Sequence, residues 1–294
     1  METLLDINWR LFAVVTLNGL TLASLYFIVA SGFTLIFGLM RIINMAHGSI
    51  YLLGGYIGYE VGAATGNWLV ALLVAGAVMA LAGAALQIAI FGWMQGQDLR
   101  QALASIGISI VAADQMLAYW GGSTYQVDLP SYFSSFVSIP LAGGYSAARL
   151  LLIGLAVIVG VGLWVVLNRT RIGMLIRAGV DDRDMLEALG KNVPVIFVGV
   201  FAIGAGLAGM AGVVGGSVLS LSPGEDARYL LSSLIVVIVG GMGSIPGAAV
   251  GALLVAMAET YGLAYTPTYG VVYTFAIMVA VLAFRPQGLM GRAV

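Results

Sequence analysis

The chain has 294 residues, 61% of them hydrophobic and only 9% charged, with a formal net charge of −1. A soluble domain carries about a quarter charged residues, so there is too little polar surface here to coat a water-soluble globule, and no basic excess to hold nucleic-acid phosphates. The absence of cysteine and the single histidine, His47, exclude thiolate catalysis, iron–sulfur clusters, cysteine-ligated zinc, disulfide stapling and a multi-histidine metal site.

What remains is an all-α, polytopic transmembrane bundle, read as one integral-membrane domain over 1–294, each span needing about 20 apolar residues. The opening METLLDINWR is acidic and does not look like a cleaved signal peptide, so the first apolar segment is expected to stay in the protein. That segment, 11–38, is too long for one untilted span and is expected either to tilt or to break near Ser31-Gly32. A polar patch at Arg41–Gly48 follows, then a glycine-rich run at 47–61 and apolar runs at 68–92 and 101–120. The loop 121–149 carries Tyr125, Tyr132, Phe133, Phe136 and Tyr145 and no basic residue before Arg149, which suits a periplasmic, interfacial lid.

After the run 150–167, the loop 168–193 holds Arg169, Arg171, Arg177, Arg183 and Lys191, five of the chain's twelve basic residues. The positive-inside rule makes that loop cytoplasmic, and Arg285 and Arg292 put the C-terminus on the same side. Four crossings lie between them: 194–219, a stretch at 229–241 short enough to be half of a discontinuous helix, the glycine-rich 246–262, and 270–284. The total is eight to ten membrane segments, including discontinuous or half helices.

Glycines recur at a spacing of four, which places them on one helix face: Gly54, Gly58 and Gly62; Gly204, Ala208, Gly212 and Gly216; Gly247 and Gly251. The plain reading of each stripe is close helix packing in lipid. Gly204–Gly209 matches a dinucleotide-binding pattern, but within an apolar helix the match is rejected.

Three polar groups are candidates for function. Asn44 either caps the helix that begins there or, with His47 and Gly48, marks a helix end beside the permeation pathway, where the positive helix terminus suits a carboxylate. Asp114 is the only acidic residue deep in an apolar run and stands beside Gln115. It is a pathway candidate, or it is wetted from the run's outer end. The charged loop interleaves Leu175, Ile176, Met185, Leu186 and Leu189 at amphipathic spacing. It reads equally as an interfacial helix or as a docking helix for a cytoplasmic partner. There is no nucleotide-binding loop, so any ATP is hydrolysed elsewhere, and no nucleophile set for an intramembrane enzyme.

The stretch Gly32–Gly38 running into Ile43-Asn44-Met45-Ala46-His47-Gly48-Ser49 resembles LivH-type permease subunits of the branched-chain amino-acid ABC transporter family. Ile235–Ala248, with Gly240-Gly241-Met242-Gly243-Ser244, and the closing Phe284-Arg285-Pro286-Gln287-Gly288-Leu289 are similar to that family's other two hallmarks. The resemblance implies that Glu187, Ala188 and Gly190 shape a coupling helix within 171–193, with leucine at Leu189 where the family's motif has alanine. It implies that Arg177, Asp181, Asp182 and Arg183 face an ATPase.

The implied partners are a second, LivM-like permease, two cytoplasmic ATPases that bind ATP and magnesium, and a periplasmic substrate-binding protein. The chain itself is expected to hold no cofactor and to be no enzyme. The implied location is the bacterial inner membrane, and the implied substrate is a small, most simply branched-chain, amino acid. The same family carries urea, short amides, other amino acids and aromatic acids. A gradient-driven carrier, which needs buried carboxylates at mid-membrane, is the rival.

Overall fold

The computed structural model describes residues 9–40, 44–140, 142–181 and 183–291. Nine helices form the bundle: α1 (Trp9–Met40), α2 (His47–Thr65), α3 (Trp68–Ala89), α4 (Asp98–Trp120), α5 (Ala147–Arg169), α8 (Val193–Val218), α9 (Glu225–Gly240), α10 (Ile245–Tyr265) and α11 (Gly270–Phe284). Two short helices, α6 (Arg171–Asp181) and α7 (Arg183–Ala188), fill the charged loop. Six of the nine are long and apolar enough to cross a membrane.

The first helix does not break. Ser31 spends its hydroxyl on the Ile28 carbonyl of its own helix at 2.8 Å, and Gly32 receives the backbone of Gly204. The 32 residues therefore run on, roughly 48 Å at about 1.5 Å per residue, longer than a hydrocarbon core of about 30 Å. The stretch 229–241 belongs to a helix of 16 residues, shorter than the six that are long enough to cross a membrane. It is the body of α9, which starts earlier because Gly224, in the left-handed region at φ 90°, opens a turn and Glu225 and Asp226 supply the carboxylates a helix start favours.

Helix α8 is the axis. It packs against α1, α2 and α3, while α4 and α5 lie at the periphery. Glycine makes the close approaches possible. A Cβ on Gly54 would strike the Gly209 backbone, one on Gly58 the Val213 side chain, one on Gly204 Gly32, and one on Gly212 the Tyr51 carbonyl. Gly247 and Gly251 receive Gly240 and Val236 in the α9–α10 pair. Gly216 meets the side chain of Leu221 in the turn after its own helix. Gly62 departs from the pattern: a Cβ there would find Ala71 and Val127 no closer than 3.7 Å, an ordinary contact.

One end of the bundle is closed by the 121–146 segment. It holds an antiparallel hairpin, β1 (Phe136–Ile139) and β2 (Gly143–Ser146), and a bridge from Tyr125 to Leu221 between α8 and α9. Contacts of Thr16 with Tyr261 (2.7 Å) and Thr21 with Tyr145 (2.7 Å) set the start of α1 at this hairpin end. The helices α6 and α7 lie at the other.

At that far end the three hallmark segments meet. Gly38 packs against Gly243, and the N–H groups of Leu289 and Met290 donate to the Val239 and Gly240 carbonyls, both at 2.9 Å. The closing segment thus satisfies carbonyls that the last turn of α9 would otherwise leave without an acceptor role.

Candidate functional site

Three buried polar residues, Asn44, His47 and Ser49, stand at the start of α2. Ahead of it, Asn44 does not act as the N-cap; that position is Ala46. Its carbonyl accepts the His47 N–H at 3.2 Å and its Oδ1 the Ala46 N–H at 3.0 Å, an Asx turn two residues before the helix. Ser105 of α4 accepts the Met45 N–H at 3.0 Å. His47 is fully buried, its Nε2 3.0 Å from the Val29 carbonyl of α1 and its ring edge-on to Phe33. Because a carbonyl only accepts, Nε2 carries the proton and Nδ1 is left without a partner. A Cβ on Gly48 would overlap the Asp226 carbonyl, so this glycine is what lets α9 cross α2. Asn44, His47 and Gly48 therefore sit inside a helix junction and line neither described cavity.

One residue further, Ser49 joins three helices. Its hydroxyl lies 2.8 Å from Ser109 Oγ of α4 and donates to Asp226 Oδ2 of α9 at 3.2 Å. A hydroxyl has one proton, so Ser109 donates to Ser49 and Ser49 to the carboxylate.

Beside this relay lies an ionic group from α1, α9 and α10. Tyr26 donates to Glu259 Oε2 at 2.6 Å, and Arg228 reaches Glu259 at 3.3 Å and Glu225 at 3.6 Å. The Tyr229 ring lies tilted against Tyr51 and edge-on to Tyr26, with centroids 4.3 and 6.2 Å away. The Glu259 side chain is 11% exposed and that of Arg228 51%, so the guanidinium runs from a buried carboxylate to the bundle's surface. Two carboxylates, Glu225 and Glu259, face one cation. Such a group offers unused guanidinium donors to an anionic ligand group and surplus negative charge to an ammonium.

Glu225, Asp226 and Arg228 are not among the candidates that the sequence alone suggests. The signal was present in Gly224-Glu225-Asp226, a left-handed glycine followed by an acidic first turn. Asp114 and Gln115, by contrast, stand on the exposed face of α4, away from this cluster. Among the described residues, no group of acidic or histidine side chains is arranged to hold a metal ion.

The charged loop is helical on both sides of Asp182, as α6 and α7. Thr170 starts α6 by accepting the Gly173 N–H at 3.1 Å, and Arg177 donates to Asn168 at 2.8 Å. Ile176 and Leu186 are buried, whereas Met174, Met185 and Leu189 are 57 to 68% exposed. Lys191 N–H donates to the Leu186 carbonyl and Gly190 N–H to that of Glu187, with Gly190 at φ 73°. This is a Schellman ending in which the glycine occupies the left-handed position. Asn192 then caps α8 by accepting the Val195 N–H. The side chains of Asp181 and Arg183, and all of Arg41, Asp182 and Arg292, lie outside the described residues.

Residues 15–282 match the family described as branched-chain amino acid transport system / permease component. The chain is 30% identical over 298 residues to the high-affinity branched-chain amino acid transport system permease protein LivH of Escherichia coli (strain K12), covering 94% of each. It is 30% identical over 292 residues to the corresponding BraD protein of Pseudomonas aeruginosa, again covering 94% of each. A chain of PsaBC from Streptococcus pneumoniae, solved in complex with Fab, shares the fold with a TM-score of 0.51 at 14% identity, covering 91% of this chain and 88% of that one.

Proposed function

Because the chain belongs to the family of branched-chain amino acid transport system permease components, we propose that it is the membrane subunit of an ATP-driven amino-acid importer, carrying leucine, isoleucine or valine. The observation that carries the ATP-driven part is the α6–α7 segment. It leaves Met174 and Leu189 exposed at the end of the bundle that collects basic residues, a surface suited to a soluble partner. That partner is a pair of cytoplasmic ATPases, which bind ATP and magnesium; this chain needs neither. Glu187, Ala188 and Gly190 give the docking helix its shape, and Arg177, Asp181, Asp182 and Arg183 give it charge.

The α6–α7 end is cytoplasmic by the positive-inside rule, and the hairpin end faces the periplasm, where a substrate-binding protein delivers cargo. A second, related permease completes the passage. The exposed Asp114 and Gln115 of α4 suit a face covered by protein or water better than one covered by lipid. Arg228 and the surrounding carboxylates are the groups best suited to meet a zwitterion in passage. ATP closure moves α6–α7 and switches access between the two sides.

The test is uptake of labelled leucine into proteoliposomes of the co-purified complex, with and without internal ATP, beside urea and an aromatic acid. Leucine uptake requiring both ATP and the external binding protein supports the reading. ATP-driven uptake of a control alone keeps the machine and changes its cargo. Buried Glu259 and Asp226 are what a gradient-driven carrier would use, and ATP-independent uptake would favour that alternative.

A further inference from the structure

A cavity of about 610 Å³ opens at the hairpin end, walled by α1, residues 126–129, the hairpin and the first turn of α5. Its volume falls in the range of small-ligand sites, about 300–1,000 Å³. Arg149 stands in that first turn, where the helix end is already positive and a cation is disfavoured. Ser146, at the N-cap, makes no capping hydrogen bond. The Ala147 N–H is taken by the Ser135 carbonyl, and among the described residues the next two N–H groups of the turn have no protein acceptor. Two sources of positive potential therefore converge on the cavity.

The guanidinium is held in place by neutral groups alone. It donates to Asn18 Oδ1 and lies 5.8 Å from the Tyr145 ring, whose hydroxyl is fixed by Thr21 and Asn18. Among the described residues no carboxylate lies within ion-pair distance of it. Asp128, an exposed residue, lines the same cavity, and among the described residues it forms no ion pair. A cation and an anion thus face one space without meeting, beside apolar wall from Val14, Phe133 and Val218.

We propose that this cavity binds a small zwitterion. Its anionic group lies on Arg149 and the open turn of α5, its primary ammonium toward Asp128, and its apolar part against Val14 and Phe133. Two sources share that chemistry, a free α-amino acid and the phosphoethanolamine headgroup of a lipid. The amino-acid source rests on the permease reading; the headgroup source does not.

The test uses the full-length chain in lipid nanodiscs. Leucine binding is measured by equilibrium dialysis in phosphatidylcholine discs, and retained phosphatidylethanolamine by native mass spectrometry after transfer from discs that contain it. Bound leucine identifies the first source and retained phosphatidylethanolamine the second. In either case Arg149→Gln and Asp128→Asn each weaken binding by about tenfold or more, as expected for one lost charge-assisted contact, and Arg149→Lys restores part of it. No binding of either molecule, or binding unchanged in both variants, overturns the proposal. ATP-driven leucine uptake by the same preparation separates the two readings. Lost uptake with the cavity still occupied discards only the importer; retained uptake with the cavity empty of both molecules discards only this site.

Discussion

The phenol of Tyr26 donates to the carboxylate of Glu259 at 2.6 Å, joining α1 to α10 across 233 positions of sequence. The same carboxylate takes Arg228 of α9 on its other oxygen. A buried anion is therefore held by one neutral and one charged donor, each from a different helix. Tyr26→Phe removes only the neutral donor and should lower the stability of the solubilised protein by about 1.5–3 kcal/mol. Glu259→Gln in the Tyr26→Phe background should cost less than the sum of the single changes, because the carboxylate left short of a donor is then gone. Thermal melts of the four proteins in one detergent test this, and strict additivity would refute the coupling.

Arg228 is the one member of the cluster that is half exposed. Arg228→Gln is expected to raise the KM for leucine uptake by about tenfold or more, since one charge-assisted contact to the substrate is lost. Arg228→Lys should recover part of that loss. An unchanged KM in Arg228→Gln, with normal expression, would remove this residue from the passage.

Gly62 and Gly212 belong to similar stripes but meet different surroundings. Gly62→Ala should leave expression and melting within about 0.5 kcal/mol of the parent, as for an unstrained surface-like change. Gly212→Ala drives a methyl into the Tyr51 carbonyl and should prevent stable insertion or cost several kcal/mol, in the range of about 1–3 for overpacking or beyond. Size-exclusion profiles and melts of the two variants decide the matter.

Gly190 tests the docking helix. A non-glycine residue at φ 73° costs about 1–2 kcal/mol locally, and a side chain there has open space around it. Gly190→Ala should therefore insert normally but lose ATPase co-purification and ATP-stimulated uptake. Leu189→Glu, which leaves the backbone alone and charges the bare face, should have the same effect. Normal ATPase recovery with both variants would assign the loop to the lipid surface instead.

The helices were legible because most apolar runs have about the length of a span, and the glycine spacing of four announced most of the places where helices touch closely. The hairpin was hidden, since Phe136–Ile139 and Gly143–Ser146 are too short and too plain to carry a two-residue alternation. The charged cluster was hidden for a different reason. Glu259 looks unfavourable within its own helix, and only the fold brings Tyr26 and Arg228 beside it. Asn44 was recognised as a helix-start residue but two positions off, because an Asx turn and an N-cap use the same side-chain chemistry. Gly190 had an assigned role by resemblance, and its backbone geometry supplies the physical reason for glycine there.

The glycine contacts of α8 have a mechanical consequence. Where backbone rests directly on backbone, as Gly204 does on Gly32 and Gly209 on Gly54, there is no side chain whose rotamer can absorb a displacement. Helices α1, α2 and α8 are then coupled as one body at these crossings. Because α8 begins four residues after α7, with Asn192 clamping its first turn, a force on α7 enters that body at its base, as a thrust enters a piston rod. The stroke would reach the opposite end of the bundle undiminished, and the loosely packed α4 and α5 would be the seals past which it slides.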